Sequence, residues 1–407
     1  MSGKPDDIRV MLVDDSAVIR GLTARWLGET PGVKVVAVHA NGRVAVEDVE
    51  ASKPDVVVLD IEMPEMDGLT ALPLLLQRRP GVMVLVSSTL SRQGAETSLR
   101  CLTLGAAHCI AKPGGSGRIA SADDYRRELV DLVLQLGSKA ARRHSRSASS
   151  SSPSSYTSST AARAPGRAAT SELAKAEISP RVTTFMERLR EIKPATSPSP
   201  SHNGPALRPF SRVPPRVLAL GSSTGGPQAL VQVLKTCKDM LVRVPVLITQ
   251  HMPPTFTALL AEQLGRATGL PAAEGQDGEE IVAGRIYVAP GGLHLIVEKD
   301  DRAVVTRLRD TPPEHFCRPA VDPMFRSVAQ VFGAASLGVV LTGMGNDGGL
   351  GASAISNCGG SILIQDEETS VVWGMPGAVR AAGAAAAVLP LDRIGVKIAE
   401  LLREAGR

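Results

Sequence analysis

The sequence predicts an α/β chain with two doubly wound parallel-sheet domains joined by a long disordered linker, and three observations predict it. Short, almost continuously apolar runs alternate with segments of helical periodicity before residue 137. The same alternation returns after residue 212, and between them the composition turns to Ser, Ala, Pro and Arg. Apolar strands separated by helices imply a parallel sheet covered on both faces. A Ser/Pro-rich stretch buries too little apolar surface to offset its ordering entropy. The expected division is therefore 1–136, a linker over 137–212, and 213–407.

In the first domain, strands are expected at residues 9–13, 33–38, 56–60 and 82–87, with helices at 18–27, 44–50 and 69–77. In the second, strands are expected at 216–220, 244–249, 338–342 and 361–365. Within the linker, residues 171–193 place Leu173, Ile178, Val182, Phe185, Met186 and Leu189 at partly helical spacing, divided by Pro180. That pattern reads as a transient helix or a docking segment.

The bulk composition bounds the function. At 407 residues and 43% hydrophobic content there is chain enough for two cores. A net charge of +4 with 3% aromatics demands no nucleic-acid partner, and no basic recognition-helix pattern follows the linker. Cys101, Cys109, Cys237, Cys317 and Cys358 show no metal-ligand spacing and read as reduced thiols. Residues 1–7 lack an apolar signal core, and no run approaches the roughly 18–20 apolar residues that span a bilayer. The expectation is a cytoplasmic monomer without membrane insertion.

In open parallel sheets ligands gather at the carboxyl ends of strands, near the point where strand order reverses. Asp14 and Asp15 follow the first expected strand and Asp60 ends the third. A single Asp at a strand end is commonly a cap, but three converging carboxylates repel unless a hard cation or protons neutralise them, and oxygen ligands with open positions suit Mg2+. Ser87 supplies a hydroxyl and Lys112 a cation near the same edge. Such a group can accept a phosphoryl on Asp60, with Mg2+ at Asp14, Asp15 and Asp60, and Lys112 with Ser87 holding the new charge.

In the second domain, Gly221-Ser222-Ser223-Thr224-Gly225-Gly226 lies between an apolar run and helical periodicity at Leu230, Val233 and Leu234. The G-x-S-x-G spacing suits a nucleophile elbow, a backbone anion site or a plain tight turn. It lacks the Gly-Lys-Ser/Thr ending of a P-loop. His251 follows one expected strand and Asp347 another, within the glycine-rich turn 343–348. Alone, His251 could be a loop residue and Asp347 a helix cap. Together at one sheet edge, a serine, a base and an orienting carboxylate favour catalysis. The order Ser, His, Asp differs from that of ordinary α/β-hydrolases, which would need Asp239 or Asp277 with His294 or His315. A binding module or a scaffold with a degenerate enzyme domain is the competing class.

Two resemblances cover nearly all the chain outside the linker. Residues 8 to about 136 resemble a response-regulator receiver domain through Val13-Asp14-Asp15-Ser16, the string from Leu59 to Gly68, Val86-Ser87-Ser88 and Lys112-Pro113. The second domain resembles the CheB-type protein-glutamate methylesterases of bacterial chemotaxis. The strings that carry this are Gly-Ser-Ser-Thr-Gly-Gly from Gly221, Ile248 to Pro254, Tyr287-Val288-Ala289-Pro290-Gly291 and Leu341 to Gly348. The resemblance implies a flavodoxin-like receiver and a Rossmann-like serine esterase. Asp60 would be the phosphoacceptor, with a sensor histidine kinase as donor. Ser223 would be nucleophile, His251 base and acid, and Asp347 its orienting partner, with backbone N–H groups of Thr224 and Met344 as oxyanion donors. Hydrolysis would need no cofactor, and the substrates would be methylated chemoreceptor cytoplasmic domains, with glutamine deamidation as the related reaction. Two positions depart from the family pattern. Cys109 stands where receivers usually carry an aromatic switch residue, and Cys317 stands where a histidine commonly precedes Arg-Pro.

Overall fold

The computed structural model describes residues 7–89, 91–112, 122–149, 205–301 and 303–404. In the first domain the strands are β1 (Ile8–Val13), β2 (Val33–His39), β3 (Val56–Asp60), β4 (Met83–Ser88) and β5 (His108–Ala111). They form one parallel sheet in the order β2-β1-β3-β4-β5. Every residue of β3 and β4 is buried, the signature of a sheet covered on both faces. The covering helices are α1 (Ala17–Gly28), α2 (Gly42–Ser52), α3 (Gly68–Arg78), α4 (Arg92–Leu104) and α5 (Ala122–Ser149). Several start on side-chain caps: Ser16 accepts from the Ile19 N–H, and Asp67 from the Thr70 N–H. Strand order reverses between β1 and β3, which places Asp14, Asp15 and Asp60 at one crevice.

The second domain carries a seven-stranded sheet in the order β14-β13-β12-β6-β7-β9-β8. Its strands are β6 (Val217–Ser222), β7 (Val246–Gln250), β8 (Ala272–Glu274), β9 (Ile286–Val288), β12 (Ser336–Val340), β13 (Ser361–Gln365) and β14 (Ala387–Leu389), all parallel. A separate antiparallel hairpin pairs β10 (His294–Asp300) with β11 (Ala303–Arg309). The helices are α6 (Gly226–Leu241), α7 (Phe256–Thr268), α8 (Val321–Phe332), α9 (Gly349–Asn357), α10 (Gly374–Ala381) and α11 (Leu391–Glu404). The chain leaves β6 toward β7 and later returns to β12 on its other side, so the reversal lies between β6 and β12.

The stretch expected as linker is structured at both ends. Helix α5 runs on through residue 137 to Ser149, because Ala, Lys and Arg there are good helix formers. At the other end, the Arg208 N–H donates to the Ala385 carbonyl at 2.9 Å, and the Ser211 hydroxyl to that of Ala334 at 2.8 Å. The middle of the stretch, with residues 171–193, lies outside the described residues. Among the described residues no helix is long and apolar enough to cross a membrane.

The two domains touch. Phe256 and Leu259 of α7 join the buried cluster that contains Leu99 and Leu102 of α4. The Gln263 amide donates to the Thr103 hydroxyl at 2.8 Å, and that of Gln228 donates to the Leu102 carbonyl. The Gly225 N–H, beside Ser223, donates to the Ala107 carbonyl at 3.0 Å.

Candidate active site and acidic switch

In the first domain, candidate oxygen ligands of Asp14, Asp15 and Asp60 lie within 4.8 Å of one another. Lys112 bridges two of these residues, its Nζ 2.9 Å from Asp14 Oδ2 and 2.7 Å from Asp60 Oδ2. Asp60 is 3% exposed. Burial pushes its carboxyl up to about 6 against the pull of Lys112, with Asp14 adding to the rise. Burial also works against the Lys112 charge, but the two carboxylates hold its ammonium above the ordinary value. One lysine cannot neutralise three carboxylates, and an all-oxygen donor set suits a hard divalent cation such as Mg2+. The residues present therefore fit that ion.

Ser87 lies on β4 next to Asp60 in register. Its hydroxyl pairs with the Tyr125 hydroxyl of α5 at 3.3 Å. Tyr125 is fully buried against Trp26, their rings 6.2 Å apart. Sequence reasoning missed this tyrosine. It places an aromatic beside Ser87 from α5, whereas β5 offers Cys109 at the expected aromatic position.

In the second domain Ser223, His251 and Asp347 follow β6, β7 and β12 and meet at the strand-order reversal. The backbone of Ser223 is pinned on three sides: its N–H donates to the Thr342 carbonyl at 3.0 Å, and its carbonyl accepts from Gly226 N–H and the Gln250 amide. The next turn needs glycine. Gly225 has φ +78°, and a Cβ there would lie 2.5 Å from Val371 Cγ2. Gln250 is a buried residue that the pattern gave no reason to notice. It accepts the Ser222 hydroxyl at 2.7 Å and so commits it. Ser223 Oγ, by contrast, enters no hydrogen bond among the described residues.

Asp347 is 1% exposed and held by four donors. Its Oδ2 receives the Val321 N–H at 2.6 Å and faces His251 Nε2 at 2.7 Å; its Oδ1 receives the N–H groups of Asp322 and Gly348 at 2.9 and 2.8 Å. Those of Val321 and Asp322 open α8, so the carboxylate sits on a helix N-terminus. Burial would raise Asp347, but His251 and these N–H groups keep it below the usual carboxylate range. Burial alone would lower His251, whereas Asp347 on one ring nitrogen and Cys317 on the other lift it to about 10. Among the described residues no hydrogen bond joins Ser223 Oγ to His251. His251 Nδ1 is engaged instead by Cys317 Sγ at 3.4 Å.

Thr224 and Met344 flank this site from the turns after β6 and β12. Among the described residues neither N–H donates to a protein acceptor, and the Thr224 hydroxyl is buried without a partner. Unpaired buried polar groups are rare and ask for an explanation. The first domain covers the same ground. Met344, Val371 and Val372 pack against the cluster holding Tyr125 and Leu129. His108 of β5 is pushed down to about 4 by burial and by the charge on His251.

A parallel-sheet domain with a lysine-bridged acidic cluster, packed against a second sheet domain with Ser, His and Asp at one edge, has the make-up of a receiver-regulated hydrolase. Residues 10–122 match the response regulator receiver domain family, and residues 218–398 match the CheB methylesterase family. The chain is 48% identical over 396 residues to a protein-glutamate methylesterase/protein-glutamine glutaminase of Paramagnetospirillum magneticum, covering 97% of this chain and 96% of that one. A protein of the same description from Nitrobacter hamburgensis is 45% identical, over 98% and 95% of the two chains. The Thermotoga maritima CheB methylesterase catalytic domain is 38% identical, over 46% of this chain and all of that one, with a TM-score of 0.45. The chain belongs to the protein-glutamate methylesterase/protein-glutamine glutaminase family.

Proposed function

We propose that the chain demethylates glutamate γ-methyl esters, and deamidates glutamines, on the cytoplasmic domains of chemoreceptors, under control of phosphorylation at Asp60. The observation that carries this reading is the pairing of a fixed His251–Asp347 couple with a serine, Ser223, whose hydroxyl is uncommitted while its neighbour Ser222 is not.

Ser223 Oγ adds to the ester carbonyl carbon as His251 Nδ1 takes its proton. Charge on the carbonyl oxygen is met by the N–H groups of Thr224 and Met344; losing one such donor typically costs about 100- to 1,000-fold in rate. The tetrahedral species collapses, the C–O bond to methoxide breaks, and His251 returns the proton to release methanol. Water then attacks the acyl-serine with His251 again as base, leaving a glutamate carboxylate and free Ser223. A glutamine carboxamide follows the same course with ammonia leaving.

Asp60 takes its phosphoryl group from a sensor histidine kinase. Magnesium bound by Asp14, Asp15 and Asp60 would neutralise charge on the phosphoryl oxygens; Lys112 and Ser87 contact the product. The contacts of Ala107 and Leu102 with the Ser223 turn and with α6 support a resting state in which the first domain limits access to Ser223. Phosphorylation shifts the population toward an open form.

Methanol release from methylated receptor membranes tests the reading, using wild type, Ser223→Ala and Asp60→Asn with and without acetyl phosphate. Activity should rise with the donor in wild type, vanish in Ser223→Ala and stay basal in Asp60→Asn. Folded wild type that releases no methanol from several receptor classes would overturn it.

A further inference from the structure

The two ring nitrogens of His251 have unlike partners. Nε2 faces Asp347, whose oxygens already accept three backbone N–H groups and can only accept from the ring, so Nε2 carries hydrogen. Taking a proton from Ser223 therefore falls to Nδ1. That nitrogen lies 3.4 Å from Cys317 Sγ.

The sulfur is held in place by its surroundings. Cys317 and Glu314 exchange both backbone hydrogen bonds, at 2.9 and 3.1 Å. Glu314 in turn grips Arg326 of α8 through two bonds, at 3.0 and 2.6 Å. Helix α8 is the element whose first N–H groups anchor Asp347. The two groups that flank the imidazole are thus mounted on one connected unit.

We propose that Cys317 is a positioning residue for His251: its sulfur holds the ring nitrogen opposite Asp347 and sets how readily that nitrogen is released to Ser223. The inference rests on the esterase reading above. The step is an exchange of hydrogen-bond partners in the neutral imidazole: once the ring has lost its Nδ1 proton to solvent, Nδ1 leaves the sulfur and accepts the serine hydroxyl, with no covalent bond to sulfur formed or broken.

The titratable groups around His251 are Asp347 from the turn after β12, Cys317 from the segment before α8 and His108 from β5, with Asp322 and His315 paired at 2.9 Å behind Asp347. Asp347 and Cys317 are the two that raise the imidazole against burial. Removing the sulfur takes away one of them.

The test uses the full chain as wild type, Cys317→Ala and Cys317→Ser. His251 is titrated by NMR, which needs no substrate, and the pH profile of methanol release is recorded beside it. In Cys317→Ala the His251 midpoint should fall by about one unit, and the acidic limb of the profile should move with it, a roughly tenfold gain at a given pH on that limb. Cys317→Ser, which keeps a hydrogen-bonding atom, should fall between. A His251 titration that superimposes on wild type overturns the proposal, even if rates drop, because lost rate alone would report packing. Should the alanine variant not fold, an unmoved titration in Cys317→Ser overturns it equally. A silent wild-type enzyme would count against the esterase reading and leave the titration to judge Cys317.

Discussion

Asp60 and Asp347 are both buried carboxylates at the carboxyl ends of parallel strands, at the strand-order reversals of their sheets, yet their surroundings push them in opposite directions. Asp347 receives four donors and is held below the ordinary carboxylate range. Asp60 shares one lysine with Asp14 and rises to about 6. A fully satisfied charge is fixed in place and orients its neighbour. An under-compensated one favours further positive charge beside it. Under the proposed function, one strand-end geometry serves a preorganised catalyst at Asp347 and a switch at Asp60.

The comparison breaks most sharply if the two carboxylates are exchanged for amides. Asp347→Asn should lower methanol release by about 10,000-fold, since the amide can present its N–H to the ring and favour the wrong tautomer. Asp60→Asn should leave basal hydrolysis intact and remove the response to acetyl phosphate, a loss of about 5- to 150-fold if the domains couple with ordinary strength. A large basal defect in Asp60→Asn would show that the first site is not separable from the second.

The contact between the sites gives a smaller effect. Leu259→Ala removes apolar contact between α7 and the first domain's cluster. Basal methanol release should rise roughly fivefold, at the low end of coupling strengths, and the further gain from acetyl phosphate should shrink by the same factor. Unchanged basal activity in a folded variant would remove the docked receiver from the account of regulation.

These sites differ in how much of them the sequence made legible. Asp14, Asp60, Ser223 and His251 sit at or next to the end of an apolar strand and Asp347 in the turn after one, and a parallel sheet sends such ends to one edge. What could not be read came from outside that rule. Cys317 reaches His251 from 66 residues away, off a segment after a hairpin, where no periodicity reports direction. Tyr125 lies on a helix and meets Ser87 only through packing. Gln250 is the last residue of β7 and reads as ordinary strand text, although its amide decides which of two adjacent serines is free. Helix α5 runs past 137 because helix propensity and Ser/Arg-rich composition compete in residues 137–149, and composition alone does not report where a helix stops.

The gentlest way to sharpen the comparison is through His108, which belongs to the first domain, lies 4.0 Å from the Glu128 carboxylate and is close enough to His251 to feel its charge. Burial first and the His251 charge second hold its docked value near 4. Once undocked, His108 should regain an ordinary value near 6.5. A group whose value is depressed in the docked state stabilises docking above its free value and withdraws that support as pH falls through the window between about 6.5 and 4. Between pH 7.5 and 6.0 the docking equilibrium should therefore weaken by about fourfold, from the extra protons bound by the open form. Hydrogen exchange at the Gly225 amide reads this directly, because in this structure that N–H is bonded to the Ala107 carbonyl of the other domain. After correction for intrinsic exchange, its protection should fall about fourfold across that interval in wild type and stay level in His108→Gln. Equal pH dependence in the two proteins would assign the effect to another group and leave the two sites coupled through packing alone.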